Sequence, residues 1–270
     1  MDSSPDTKIK FVLICHKGAE ISQSGVASWI SSFADLAGII LIDEPSSRKK
    51  KRIRREIKRV GLLRFIDVLA FKIYYRLFLA ARDAKLEAEL VEQMRRSKPA
   101  AVPDPRVLVV TTPNGPEARE FLEEIKPDMV LARCKTLLKK EVFEIPRLGS
   151  YVLHPGICPE YRNAHGCFWA LANRDLDKVG LTLLRIDAGV DTGPTYGYYS
   201  YEYDELNESH ILIQHQVLTR NLHAIQSRFI EIAKGLATPI DTTGRPSGTW
   251  GQPWMSKYLY WKRQARKAVS

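Results

Sequence analysis

Residues 9–15 read IKFVLIC, a short run of mostly apolar and β-branched side chains. Such a run is typical of a strand that is buried on both faces of a sheet. Further predicted elements are strands at 38–43, 106–111, 127–132, 149–154 and 180–186 and helices at 22–36, 62–94 and 116–125. Strands that alternate with helices predict an α/β fold, with a Rossmann-like, mostly parallel sheet and helices on both faces.

The last third of the chain has a different pattern. Apolar residues recur at helical spacing between Ile211 and Ile232, and Lys234-Gly235 is a typical helix end. Beyond it, Trp and Tyr side chains crowd a segment that is rich in Thr, Gly and Pro. We therefore expect an α/β domain over 1–235, with a basic and amphipathic helical insertion at about 46–98. An irregular, aromatic-rich extension at 236–270 is expected to pack on this domain.

The positive charge of the chain is concentrated in one segment. Residues 48–59 read RKKKRIRREIKR and hold nine Lys or Arg residues and one Glu, so they account for +8 of the net charge of +10. The chain outside this segment is almost neutral, which argues against a general nucleic-acid-binding protein. The segment has three interpretations: a solvated charge run, a site for a phosphate-rich acceptor, or a contact to an anionic membrane.

Several features bear on the compartment of the protein. The four cysteines, Cys15, Cys134, Cys158 and Cys167, are scattered and form no C-x-x-C pair, which predicts a reducing compartment and no metal site. The first eight residues are polar, and no run of eighteen uncharged apolar residues occurs. We therefore expect neither a secretory signal nor a spanning helix, and a cytoplasmic protein that could lie at the periphery of a membrane.

Two polar residues follow predicted strands. His154 ends the strand at 149–154, and Asp191 opens Asp-Thr-Gly-Pro after the strand at 180–186. Because functional residues gather at the carboxyl ends of strands in open α/β sheets, we expect the two side chains to converge. An imidazole can stabilise an oxyanion or move a proton, and a carboxylate can orient it. The single Asp-Thr-Gly could also suggest an aspartic protease, but that class needs two carboxylates and an all-β fold.

The spaced residues around this pair match a known family. Gly149 to Gly156, Pro159, Tyr161-Arg162, Trp169-Ala170 and Asp187 to Pro194 together resemble the folate-dependent formyltransferases. That family includes enzymes that formylate methionyl-tRNA, glycinamide ribonucleotide and nucleotide-linked amino sugars. The resemblance implies N10-formyltetrahydrofolate as co-substrate, with His154 stabilising the oxyanion and Asp191 transferring protons. It implies a folate site lined by Leu131, Ala132, Cys134, Leu137, Asp187 and Val190.

The sequence departs from the family at one site residue. The family has an Asn two residues before the His, and this chain has Val152, which cannot donate a hydrogen bond. Losing one oxyanion donor typically costs about 10²–10³ in rate. Asn163 and His165 are candidates for a substitute donor. The departure motivates two alternatives to formyl transfer: a formyltetrahydrofolate hydrolase, and a catalytically degenerate protein that binds a folate or a nucleotide.

The acceptor is expected to be a small amine, such as an amino sugar linked to a nucleotide or a lipid. Nucleic acid is disfavoured as a partner, while a homodimer and an anionic membrane surface contacted through residues 48–79 stay open. The helix at 62–79 is apolar over about half of its circumference, and that face could equally pack on the sheet. Likewise, Gln23-Ser24-Gly25 could bind an anion or simply begin a helix, and Arg162 could lie on the surface or order the site loop.

Overall fold

The computed structural model describes residues 8–96 and 104–269. Its main sheet has seven strands among these residues, in the order β3-β2-β1-β4-β5-β7-β8. The strands of the chain are β1 (Lys10–His16), β2 (Asp35–Ile42), β3 (Arg106–Val110), β4 (Met129–Arg133), β5 (Gly149–His154), β6 (Arg162–Asn163), β7 (Leu181–Arg185), β8 (Thr195–Tyr199) and β9 (Thr249–Trp250). The first five are parallel, and β7 and β8 are antiparallel to their neighbours, so the predicted mostly parallel sheet is confirmed.

Helices cover both faces of this sheet. They are α1 (Ala27–Phe33), α2 (Ser46–Val60), α3 (Leu62–Tyr74), α4 (Ala80–Arg95), α5 (Pro116–Ile125), α6 (Lys140–Phe143), α7 (Gly166–Asn173), α8 (His210–Arg220), α9 (Leu222–Ala233) and α10 (Met255–Val269). Two π-helical segments, Ile21–Val26 and Tyr75–Leu79, precede α1 and α4, and a short 3₁₀ turn spans Leu176–Lys178. None of the described helices is long and apolar enough to cross a membrane.

Strand β1 lies in the middle of the sheet, and its successive side chains point alternately into the two hydrophobic cores on either side. Phe11 and Leu13 pack on the side of α1, α4, α7, α8 and α9, whereas Val12 and Ile14 pack on the side of α5 and α6. All four side chains are fully buried. This arrangement explains why residues 11–15, FVLIC, are apolar throughout, since a strand segment that is buried on both faces has no position for a polar side chain.

The strand order reverses beside β1, which pairs with β2 on one side and with β4 on the other. In open α/β sheets, ligands bind in the crevice outside the carboxyl ends of the strands, where the order reverses. The segments that follow β1, β4 and β5 therefore meet at one edge of the sheet, and His154 is the last residue of β5.

The C-terminal extension is more regular than its composition predicts. Residues 255–269 form α10, whose Tyr258 and Trp261 are buried against α3 and α7. Strand β9 pairs with β6, and the ring of Trp250 stacks on Trp169 with centroids 4.9 Å apart. Amphipathic spacing at Tyr258, Trp261 and Ala265 is the sequence signal of this helix. The extension packs on the α/β domain and reaches the loop after β5.

Two other differences concern element boundaries. The helix expected between Ile211 and Ile232 is divided at Asn221, whose side-chain amide donates to the carbonyls of Ser200 and Val217. Strand β8 was not predicted. It lies at the sheet edge and pairs antiparallel with β7, where the alternation of buried and exposed side chains is weak.

Candidate active site

His154 is held at the end of β5 with both ring nitrogens engaged. Its side chain is only 4% exposed. Nε2 lies 2.7 Å from the carbonyl oxygen of Tyr161. Because a carbonyl only accepts hydrogen bonds, Nε2 carries the hydrogen and donates. Nδ1 is thereby directed to Asp191, with 3.3 Å between Nδ1 and Oδ2. The structure thus brings together the two side chains that were expected to converge, although β7 is antiparallel to β5 and ends at Arg185, before Asp191.

Asp191 belongs to the loop between β7 and β8 and lies closer to solvent than His154. Its backbone has a φ of 51°, a left-handed conformation that Asp and Asn tolerate better than most residues. Oδ2 accepts a hydrogen bond of 2.8 Å from the backbone N–H of Asn163 as well as facing His154. The carboxylate lines a cleft, while the imidazole lies behind it, so the carboxylate is the member of the pair that a ligand can contact.

Two glycines allow the loop after β5 to close on His154. A Cβ added at Gly156 would lie 2.7 Å from the Tyr161 carbonyl oxygen and 2.8 Å from the Cα of Gly166. Both contacts are with backbone atoms, which cannot move aside like a flexible side chain. The close approach of this chain segment keeps the Tyr161 carbonyl within reach of His154 Nε2. Local sequence therefore fixes the orientation of the imidazole.

The cleft beside Asp191 has about 450 Å³ of empty space. It is lined by Ala132, Cys134, Thr136, Leu137, Leu138, Val152, Leu184, Arg185, Ile186, Asp187, Gly189, Asp191, Thr192 and Gly193. Four of the six residues expected to line a folate site are in this set. Leu131 points to the opposite face of the sheet and packs in the helix-covered core, as the two-residue period of a strand requires. Val190 lies outside the lining, and its carbonyl accepts from the guanidinium of Arg162.

Several lining residues were not predicted from the sequence. Val152 and Leu184 face the cleft from paired positions of β5 and β7. Strand alternation could have identified them, because Val152 is two residues before His154. The loop from Asp187 to Thr192 is closed by hydrogen bonds from Gly189 N–H and Thr192 Oγ1 to the Asp187 carboxylate. These bonds depend on the turn conformation, which the sequence motif alone does not reveal.

Asn163 and Arg162 link the site loop to the C-terminal extension. The Asn163 side-chain amide donates to the Trp250 carbonyl, and its backbone N–H donates to Asp191. The Arg162 guanidinium donates to the carbonyl of Val190 and to Thr249 Oγ1, over 2.9 and 3.1 Å. Arg162 is half-buried and bridges two segments, which agrees with the interpretation that it orders the site loop.

His165 begins α7 with a φ of 55°. Burial, together with smaller contributions from Lys135 and Lys72, lowers the pKa of His165 to about 4. The imidazole is therefore neutral near pH 7 and carries one N–H, a donor of the kind that an oxyanion requires. Its ring lies 5.5 Å from that of His210.

Basic groups surround the point where the strand order reverses. The Lys135 backbone N–H donates to His16 Nε2 over 3.1 Å. Burial lowers the pKa of the Lys135 amine, Arg52 and Lys72 act in the same direction, and Glu44 opposes them. Arg52 pairs with Glu44, whose carboxylate also accepts from Thr136. The positive charges of Lys135 and Lys72 leave this part of the crevice favourable for an anion.

The segment Gln23-Ser24-Gly25 is engaged in local hydrogen bonds. Ser24 Oγ donates to Glu20 over 2.9 Å, and Gln23 Oε1 accepts from the Gly18 backbone over 3.0 Å. The carboxylate of Glu20 at this helix start disfavours an anion there. These contacts agree with an ordinary helix start.

The sequence and the fold of this chain have counterparts in known proteins. The model of the Formyl transferase family matches residues 80–224, which is more than half of the chain. The chain belongs to the formyltransferase family. The matched region includes β5, the His154–Asp191 pair and the cleft-lining strands, so the resemblance seen in the motif extends over the site.

Curated relatives share part of their length with this chain. A methionyl-tRNA formyltransferase from Kosmotoga olearia is 37% identical over 114 residues, which cover 42% of this chain and 35% of the relative. The bifunctional polymyxin resistance protein ArnA from Wigglesworthia glossinidia brevipalpis is 27% identical over 125 residues, 46% of this chain and 19% of that protein. The matched region therefore spans about a third or less of these relatives.

Solved structures share the fold of the whole chain at low identity. A 4-N formyltransferase from Francisella tularensis is 12% identical, with a TM-score of 0.55 over 97% of this chain and 88% of that one. A sugar N-formyltransferase from Shewanella sp. is 10% identical, with a TM-score of 0.53 over 90% and 76% of the two chains. These similarities extend to the C-terminal extension and show the formyltransferase fold.

Proposed function

We propose that this protein transfers a formyl group from N10-formyltetrahydrofolate to the amino group of a small acceptor, an amino sugar linked to a nucleotide or a lipid. The observation that carries the proposal is the His154–Asp191 pair, with 3.3 Å between its nearest atoms, at the wall of a cleft in a formyltransferase-family domain. A sugar N-formyltransferase is among the proteins that share the fold.

The cleft fits the folate co-substrate by its chemistry. Ala132, Leu138, Val152 and Leu184 provide apolar walls suited to a flat aromatic ring, and Asp187 and Thr136 offer polar groups at the rim. When bound, N10-formyltetrahydrofolate supplies an activated formyl carbon and an amine leaving group. Because Asp191 is itself one of the lining residues, a formyl group bound in the cleft would lie beside its carboxylate.

The pair has a defined part in proton transfer. Asp191 accepts a proton from the attacking amine, because its carboxylate is the exposed member of the pair. The Tyr161 carbonyl holds Nε2, so the imidazole of His154 cannot rotate away from Asp191. Asp191 then passes that proton to the leaving nitrogen of tetrahydrofolate, while His154, which faces the carboxylate through Nδ1, keeps the carboxylate in position. The Asn163 backbone N–H fixes the carboxylate.

Val152 provides no donor to the formyl oxygen, and His154 lies behind Asp191, so a donor must come from elsewhere. The Asn163 amide has two hydrogens and uses one on the Trp250 carbonyl. His165 is neutral and carries one N–H. The substitution Val152→Asn tests whether the site is active or degenerate. If the site is active with one hydrogen-bond donor missing, Val152→Asn raises kcat about 10-fold or more. If the site is degenerate, kcat stays near zero.

The acceptor is proposed to carry phosphate. Lys135 follows β4 at the point where the strand order reverses, and its backbone N–H donates to His16 at the end of β1. Its amine is the cation that we propose for the acceptor phosphate. The four cysteines form no disulfide, which supports action in a reducing compartment such as the cytoplasm.

The test mixes the protein with N10-formyltetrahydrofolate and a panel of nucleotide- and lipid-linked amino sugars, and measures released tetrahydrofolate. Acceptor-dependent release supports transfer, and Asp191→Asn is expected to abolish it. Release at the same rate without any acceptor supports the hydrolase, in which water replaces the amine. Binding of a folate analogue without release from any mixture would mean that the site is degenerate and the proposal is wrong.

A further inference from the structure

Helix α3 and the π-helical segment after it have an apolar stripe that faces away from the domain. Its members recur at intervals of four, three, four and four residues, and they are between 45% and 69% exposed. They are Leu62, Ile66, Leu69, Ile73 and Leu77. The opposite side of the helix packs inward through Val68 and Phe71, which are buried. The helix therefore has two apolar sides, and the core uses only one of them.

The contacts of the inward side exclude a simple rotation of the helix. The Phe71 ring lies 5.5 Å from Phe168 of α7 and 5.3 Å from Tyr258 of α10. Asp67 accepts a hydrogen bond of 2.9 Å from the backbone N–H of Ser256. These contacts fix which side faces the core, so the stripe faces outward because of tertiary packing. The expectation that an apolar face of this helix packs inward is met by Phe71 and Val68.

The exposed apolar surface extends beyond the five stripe residues. Leu63 and Phe78 on the same helical segment, and Leu259 and Tyr260 on the neighbouring α10, are also exposed. Monomeric proteins rarely expose contiguous apolar patches of more than a few hundred Å², and larger patches mark contact sites for membranes or proteins. The stripe is therefore a docking surface, and the charge around it indicates the partner.

Basic residues accompany the stripe. Lys72 and Arg76 are exposed and lie along one edge of it, at helix angles between the stripe and the buried side. Helix α2, which joins α3 through Gly61, exposes Arg54, Arg55 and Lys58. An apolar face bordered by Lys and Arg is typical of helices that lie in the plane of a membrane interface.

The same charge disfavours a second copy of this chain as the occupant. A symmetric dimer would use the same surface on both subunits. It would bring together two α2 segments, each rich in Lys and Arg with a single Glu over residues 48–59. Like charges at an interface are unfavourable, whereas an anionic lipid surface complements them.

We propose that the α2–α3 surface docks the protein on an anionic lipid bilayer. Helix α3 lies in the plane of the interface, with the stripe about 5–10 Å deep at the boundary of headgroups and acyl chains. The cations of α2 and α3 contact the headgroups and strengthen binding about fivefold per residue. This docking does not depend on the chemistry at Asp191, and its tests measure binding alone.

The first experiment is co-sedimentation of the full chain with phosphatidylcholine vesicles that do or do not contain phosphatidylglycerol. We expect binding to the anionic vesicles in about 0.1 M salt, and strong weakening in about 1 M salt, where the screening length falls from ~10 to ~3 Å. Absence of binding to anionic vesicles at low salt would overturn the proposal. Equal binding to neutral vesicles would overturn its electrostatic part.

The apolar part is tested with Ile66→Asn combined with Ile73→Asn, positions that are 58% and 52% exposed. The matched control is Val107→Asn combined with Val109→Asn on β3, at 57% and 52% exposed. We expect the first pair to lower vesicle affinity by about 100-fold or more, since two apolar side chains no longer leave water, and the control to have no effect. An equal loss in both variants, or in neither, would contradict docking through the stripe.

The charge is tested with Arg54→Gln, Arg55→Gln and Lys58→Gln together, against the exposed control set Lys126→Gln, Lys139→Gln and Lys234→Gln. We expect about a 100-fold loss of binding to anionic vesicles for the first set and little change for the control. Analytical ultracentrifugation tests the competing occupant. A wild-type dimer that Ile66→Asn with Ile73→Asn converts to a monomer, with no vesicle binding, would assign the surface to a second copy instead.

Discussion

Asp191→Asn is the substitution that most directly tests the proposed chemistry. Asparagine has nearly the same shape as aspartate and tolerates the left-handed backbone at this position, where φ is 51°. Its side-chain oxygen can still accept the Asn163 backbone N–H. The substitution therefore removes the negative charge and the proton acceptor while leaving the loop and the cleft in place.

The size of the effect follows from the geometry of the pair. The nearest atoms of His154 and Asp191 are 3.3 Å apart, and the side chains are 4% and 14% exposed. Loss of a general acid–base group typically lowers the rate by about 10²–10⁴, which corresponds to about 3–5 kcal/mol of transition-state stabilisation. We expect kcat to fall within that range.

The assay measures tetrahydrofolate release from N10-formyltetrahydrofolate, together with the thermal midpoint of unfolding and the affinity for a folate analogue. We expect a large loss of kcat with little change in the other two quantities. The control is Asp241→Asn, an exposed aspartate that accepts a backbone hydrogen bond from Thr243. If Asp191→Asn retains kcat within about threefold, a range far below that of general acid–base catalysis, Asp191 is not the proton acceptor.

Three further predictions follow from the structure. Gly156→Ala places a Cβ 2.7 Å from the Tyr161 carbonyl oxygen, so it should lower turnover and reduce the free energy of unfolding by about 1–3 kcal/mol. The control is Gly115→Ala, whose Cβ meets only the flexible end of Glu117 within 3 Å. An equal effect of the two substitutions would refute the reasoning. Burial lowers the pKa of His215 to about 4, below its value near 6.5 in the unfolded chain, so folding stability present above pH 6.5 is lost as the pH falls towards 4. Urea titrations at several pH values measure how the free energy of unfolding falls between pH 6.5 and pH 4. For His215→Gln this fall should be less steep than in the wild type, by up to about 1.4 kcal/mol per pH unit. An unchanged slope would contradict the burial of a neutral imidazole. Leu137→Ala at the cleft should weaken binding of a folate analogue about tenfold in a fluorescence titration. The control is Leu236→Ala, which changes another exposed leucine and should not affect binding. If the two variants bind the analogue with equal affinity, the folate binds elsewhere.

The sequence determined much of the central sheet. Strand β5 and helix α5 have the boundaries that their patterns predict, and β1 differs by one residue at each end. These elements were predictable because a buried strand and an amphipathic helix leave local periodic patterns. The convergence of His154 and Asp191 was predicted, but the carboxyl-end rule does not explain it. Strand β7 runs antiparallel to β5 and ends beside Tyr151, so the loop after β7 must turn back to bring Asp191 to His154. The family resemblance added the expected roles of the two residues.

Other features arise from contacts between distant parts of the chain. Asn163 meets the Trp250 carbonyl 87 positions away, and α10 fixes the orientation of α3 from near the C-terminus. Periodicity shows that α3 is apolar, but only the packing of Phe71 between α7 and α10 decides which side faces outward. Local sequence thus determined the elements and the candidate chemistry. Tertiary packing alone decided which atoms meet and which apolar surface stays exposed. These outcomes depend on how all the helices and strands pack together, which no local stretch of sequence determines.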